Sequence, residues 1–162
     1  MKRIFRLLII LLVILLLAAV LWWFFGRGNP NALWQIVSQQ CVPNQQQNNN
    51  PAPCLRVDLT DGYVLFKDNK GPYHDLVMPT EKVSGIESPT LQTEKAPPYL
   101  AVAWNNRTHI STEMGKPLKD AWVSLAVNSK YGRSQNQLHI HVACLRQDVY
   151  NVLSEQAHQI DQ

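Results

Sequence analysis

His139-Ile140-His141-Val142-Ala143-Cys144-Leu145 is the stretch on which the reading of this chain turns. Apolar residues recur at every second position, which is the period of a β-strand. Strand side chains alternate between faces, so Leu138, Ile140, Val142 and Cys144 line one side and His139, His141, Ala143 and Leu145 the other. Two imidazoles then stand side by side, roughly 7 Å apart along the strand. The opposite stripe is continuous and apolar, and needs a covering layer. Two histidines on a half-exposed strand also occur with no role, and spacing alone does not separate the two readings. A zinc site would need further ligands: none is legible, and Cys144 points away from the pair.

Working outward, Asn128-Ser129-Lys130-Tyr131-Gly132-Arg133-Ser134-Gln135-Asn136 joins this strand to an earlier one at Trp122–Asn128. The loop offers two cations and several amides beside the histidines, which suits a phosphate group. Imidazole is a competent nucleophile toward phosphorus when its other nitrogen is held. Further upstream, Pro98–Met114 has no internal proline and places Leu100, Ala103 and Trp104 at helical spacing, so it predicts one long helix. Leu55–Thr60 and Tyr63–Lys67 alternate around an Asp61-Gly62 turn and predict a hairpin. Asp75–Pro79 predicts a third short strand, and Asp148 a cap for a final helix through Val152 and Leu153. Short strands, one long helix and no βαβ alternation give an α+β class with a mostly antiparallel sheet.

The N-terminus is a different kind of sequence. Leu7–Phe25 is uncharged and almost wholly apolar; at helical rise it spans about 28 Å, close to the hydrocarbon thickness of a bilayer. Lys2, Arg3 and Arg6 precede it and only Arg27 lies just beyond, so the N-terminus is expected in the cytoplasm and the remainder across the inner membrane, in the periplasm. Trp22 and Trp23 fall where an interfacial aromatic belt belongs. A cleaved signal peptide is the rival, but Ala18 and Ala19 are followed by Val20, Leu21 and two tryptophans, a poor cleavage site. Residues 26–40 read as a short tether with a helical stretch around 31–40, and Cys41 and Cys54 flank the polar run VPNQQQNNNPAP, which should not order itself. In an oxidising compartment they are expected to pair; two separate thiols are the alternative. Cys144 reads as a buried core thiol. The net charge is +3, three of the cations precede the apolar run, and no basic run follows it. That argues against a nucleic-acid polymer as partner.

With these residues in view, the chain resembles the histidine-triad (HIT-like) superfamily. His139-Ile140-His141-Val142-Ala143 follows its strand signature, Asn128 stands eleven residues before His139 where that superfamily has an asparagine, and His74-Asp75-Leu76-Val77-Met78-Pro79 is similar to its upstream histidine and strand. The N-terminal anchor, Cys41–Gln47 and Asn128–His141 resemble more narrowly the bacterial CDP-diacylglycerol pyrophosphatases. The resemblance implies a HIT-like domain over residues 55–162, shorter at its C-terminus than the family, after an anchor at 1–27 and a tether with a disulfide loop at 28–54. It implies hydrolysis of CDP-diacylglycerol to CMP and phosphatidate through a nucleotidyl-histidine. His141 would be the nucleophile and His139 its catalytic partner, with Asn128, Asn136 and His74 around the substrate. Lys130 and Arg133 are added here as charge stabilisers. The triad's third histidine is Ala143 in this chain. No cofactor, dedicated metal site or protein partner is expected. Nucleotidyl transfer to another acceptor, or anchored binding of nucleotide or lipid without turnover, are the alternative functions.

Overall fold

The computed structural model describes residues 2–25 and 28–159. Arg27 and the side chain of Trp23, both used above to orient the anchor, lie outside the described residues. Two compact units divide at Pro30/Asn31. The first holds α1 (Lys2–Phe25), in which Arg3–Trp22 is long and apolar enough to cross a bilayer.

The second unit is built on a five-stranded sheet in the order β1-β2-β3-β5-β4, with every neighbouring pair antiparallel. The strands are β1 (Arg56–Asp58), β2 (Tyr63–Lys67), β3 (His74–Pro79), β4 (Val123–Ala126) and β5 (Ile140–Cys144). The α+β class and the three expected upstream strands are thus present. One face carries Leu65, Val77, Ile140 and Val142, which bury against Tyr99, Ala103 and Ile110. This is the apolar stripe read from β5, finding its covering layer.

That layer is not one long helix. It is α4 (Tyr99–Asn106) followed by α5 (Thr108–Met114). At the junction the Asn106 amide bonds the carbonyl of Val102 at 2.9 Å and the Arg107 guanidinium bonds that of Trp104 at 2.9 Å. Backbone bonds tighten there too, from Arg107 N–H to Trp104 and from Ile110 N–H to Arg107. Side chains that satisfy helix carbonyls compete with the regular ladder, which is why Asn-Asn-Arg interrupts it.

The second face of β2 and β3 carries Val64, Leu76 and Met78, buried against Val37, Cys41 and Cys54. The covering residues lie in α2 (Ala32–Ile36), a π-helical turn at Val37–Cys41 and α3 (Val42–Asn48). The helical stretch expected around 31–40 is present, and it continues as α3 into the polar run that was expected not to order itself, both packing onto the sheet. Periodicity did not show α3 because its Gln/Asn side chains face solvent and the anchoring contacts come from Val37 and from Cys41, which is disulfide-bonded to Cys54. The last helix, α6 (Gln147–Gln156), starts after Arg146, so Asp148 lies in its first turn rather than at its cap, in an ion pair with Arg146.

Candidate active site

β5 and β3 set the histidines. In their register Leu76 lies opposite His141 and His74 opposite Ala143. Directly opposed residues share a face, so His74 stands beside His141 on the side not covered by α4 and α5. The rings meet: His74 Nε2 is 2.8 Å from His141 Nδ1. Asn128, just past β4, brings its amide nitrogen to 3.3 Å from His141 Nε2. An amide nitrogen donates, so Nε2 accepts with its lone pair. The ring proton then belongs on Nδ1, from which it is donated to His74. Beside this contact lies Asp68, 8% exposed, with Oδ2 at 3.5 Å from His74 Nε2 and 3.8 Å from His141 Nδ1.

His139 shares the face, as alternation requires, and its ring meets that of His141 edge-on at 5.0 Å between centroids. It is buried, and its Nδ1 donates to the Gln137 carbonyl at 2.7 Å. The side chain of Gln137 is itself fully buried. Its amide nitrogen bonds the carbonyls of Pro79 and Glu81, and its oxygen accepts from the Val83 N–H. The start of β5, and with it the pair of rings, is stitched to the segment that leaves β3.

Electrostatics follow from this crowding. Burial, and then the neighbouring rings of His139 and His74, lower the His141 pKa from 6.5 to about 4; Lys70 adds to the effect and Asp68 opposes it. The ring is therefore neutral at physiological pH, with a lone pair at Nε2, which is the state a nucleophile needs. Turnover that depends on His141 should lose its acid limb near pH 4 instead of near 6.5, because only protonation of this ring removes the lone pair. Asp68→Asn deletes the one influence that raises this pKa, so it should move the limb lower still while slowing turnover about tenfold or more through loss of orientation. A pH profile of kcat/KM for both proteins checks the sign; an unchanged limb in Asp68→Asn would detach Asp68 from the rings.

The structure thus gathers His141, His139, His74 and Asn128. It does not bring the other three to the rings. Asn136 is exposed, with no side-chain hydrogen bond among the described residues. Lys130 is exposed, with Nζ 6.0 Å from the Tyr131 ring centroid. Arg133 lines a small hollow with Asn128 and His139, but its Nη1 is held by both oxygens of Glu87 at 2.6 and 2.7 Å. Asp68 was missed because its sequence context, Asp68-Asn69-Lys70-Gly71, reads as a turn. It does serve that turn, accepting the Lys70 N–H on Oδ1 at 3.1 Å, while Oδ2 is the oxygen near His74 and His141.

Asp68, His74 and His141 also supply the ligands that the strand alone lacked for a metal ion, their atoms lying within 4.8 Å of one another. The spacing inside the trio favours a direct bond. Two imidazole nitrogens sharing a tetrahedral zinc would stand about 3.3 Å apart, whereas the observed 2.8 Å is a hydrogen-bond distance.

The family model described as CDP-diacylglycerol pyrophosphatase matches residues 28–162. A CDP-diacylglycerol pyrophosphatase of Yersinia pestis is 45% identical over 133 residues, covering 82% of this chain and 51% of its own length. The chain therefore spans about half the length of that curated relative. Among solved structures, a HIT family hydrolase from Clostridium thermocellum is similar at a TM-score of 0.47 and 18% identity, covering 67% of this chain and 93% of its own. A histidine triad protein from Clostridium difficile is similar at 0.44 and 21%, covering 66% and 91%.

Proposed function

This chain belongs to the CDP-diacylglycerol pyrophosphatase family, and from that membership we propose that its folded domain hydrolyses CDP-diacylglycerol to CMP and phosphatidate. The observation that carries the reading is the state of His141: neutral, with Nε2 facing Asn128 and Nδ1 held by His74. Nε2 attacks the phosphorus that bears the cytidine. The P–O bond to the second phosphate breaks, phosphatidate leaves with the bridging oxygen, and cytidylyl-His141 remains. Attack by water on the same phosphorus breaks the P–N bond and frees CMP. As Nε2 forms its bond the ring becomes cationic, and the His74–Asp68 pair behind Nδ1 is placed to stabilise that charge. The Asn128 amide can turn from Nε2 to a phosphate oxygen. His139 holds the His141 ring from the side. Lys130, on the loop after Asn128, and Lys70, on the hairpin before His74, are the cations available to phosphates; Arg133, paired with Glu87, positions the loop.

A lipid substrate accords with α1, which ties the domain to a bilayer. We place α1 across the inner membrane with its basic N-terminus in the cytoplasm and the domain in the periplasm, on the charge asymmetry of its ends and on the Cys41–Cys54 bridge, which such a compartment permits. The test is a trap. The 162-residue chain in detergent, mixed with CDP-diacylglycerol labelled at the cytidine-linked phosphorus and quenched in base within a turnover, should carry acid-labile, base-stable label on His141, and CMP should accumulate afterwards. CMP released without any labelled protein would remove the covalent step; no CMP at all would sink the assignment.

A further inference from the structure

On the far side of the sheet from His141 lies a hollow that the hydrolytic reading does not use. It has a volume of about 340 Å³ and sits between β1 and the α4–α5 junction. One water takes about 30 Å³ of liquid, so a headgroup-sized group fits with its hydration. Its polar walls are Arg56, Asn105, Asn106, Thr108, His109 and Thr112, and no carboxylate lines it.

Three features make it more than a surface dimple. Arg56 has no carboxylate within ion-pair distance among the described residues. Among the described residues its one side-chain bond is from Nη1 to Asn106 Oδ1 at 3.4 Å, and Asn106 is in turn fixed by its own bond to Val102. A guanidinium aimed by a buried amide and left without a counter-charge is a binding group in waiting. Second, His109 is oriented: its Nδ1 donates to Asp75 Oδ2 at 2.7 Å, and Asp75 is completely buried. That bond leaves Nε2 as the free nitrogen of a ring that lines the hollow. Third, the acids behind the ring stand outside the hollow and are partly offset: Lys67 Nζ lies 2.6 Å from Glu113 and 3.6 Å from Asp75, and neither carboxylate is in the lining.

We propose that the Arg56–His109 hollow binds a phosphate group, with the Arg56 fork as its charged donor, the oriented His109 Nε2 lone pair accepting the hydroxyl of a monoprotonated phosphate, and Asn105 and Thr108 completing the shell. The proposal stands apart from the hydrolase reading, since Asp75 and His141 point to opposite faces of the sheet. The same chemistry is offered by soluble phosphate and by the phosphomonoester headgroup of phosphatidate. Imidazole resonances of the ¹⁵N-labelled full chain, in nanodiscs of phosphatidylcholine, distinguish them. In one arm inorganic phosphate is titrated; in the other the discs also contain phosphatidate. A saturable shift of the His109 ring in the first arm assigns a soluble ligand, and one in the second arm alone assigns the headgroup. Arg56→Ala, an exposed position, should weaken the response at least tenfold, Arg56→Lys less, and His141→Ala not at all. No His109 shift in either arm, or a shift undiminished in Arg56→Ala, overturns the proposal.

Discussion

Replacing His141 by alanine is expected to lower the proposed CDP-diacylglycerol hydrolysis by on the order of 10⁴-fold or more, with KM little changed. The size follows from what is lost. In the proposed mechanism His141, whose Nε2 is uncharged and positioned, is the covalent nucleophile, and removing it leaves only the binding and charge-stabilising parts of the site, which retain a small residue of the rate. His74 does not replace it in place, because its Nε2 is spent on His141 Nδ1 and lies near Asp68. His139 does not either: it is 7% exposed, and its Nδ1 is committed to the Gln137 carbonyl. The variant should fold, since His141 lies at the edge of the covered face and is only partly buried. Far-UV and near-UV circular dichroism of the variant, beside a CMP-release assay, separates the chemistry from the fold. A well-folded His141→Ala chain within tenfold of the parent rate would transfer the nucleophile elsewhere.

The second large effect concerns stability. Gln137→Leu keeps the bulk of the side chain and removes its two polar atoms, so the carbonyls of Pro79 and Glu81 and the N–H of Val83 lose their partner together. Gln137 is fully buried, which keeps water from substituting freely. Each buried backbone group left unpaired costs about 1–3 kcal/mol, so a loss of about 4 kcal/mol is expected. Urea unfolding of the full chain in micelles measures it as a lower midpoint at constant slope. The His139 ring should also loosen, because the Gln137 backbone that accepts its Nδ1 proton is held by that side chain. A loss below 1 kcal/mol would mean that residues 79–83 are held by other contacts.

How much of this was legible beforehand divides along a physical line. Patterns that repeat within one element are written in the chain. Alternation put His139 and His141 on one face of β5 and the apolar stripe on the other, and the run from Leu7 to Phe25 declared a bilayer-length helix. Asn128 was legible through the resemblance, and its position two residues past β4 is what brings it to His141. Contacts made by residues whose local context already has an explanation were not legible. Asp68 looked like a turn residue and is one, yet its second oxygen faces two histidines. Val42–Asn48 looked like disordered polar sequence, yet it is helical because Cys41 is buried under Met78 and Leu76 and tied to Cys54.

Sequence by itself decided the strand, its two faces and the membrane-length helix, since a backbone's repeat of two or of 3.6 residues assigns side chains to sides without reference to any partner. Which oxygen meets which imidazole, that Arg133 is taken by Glu87, and that Arg56 and His109 line one hollow were decided only when distant segments packed. Hydrogen bonds and ion pairs act over a few ångströms, and the chain order does not contain those distances.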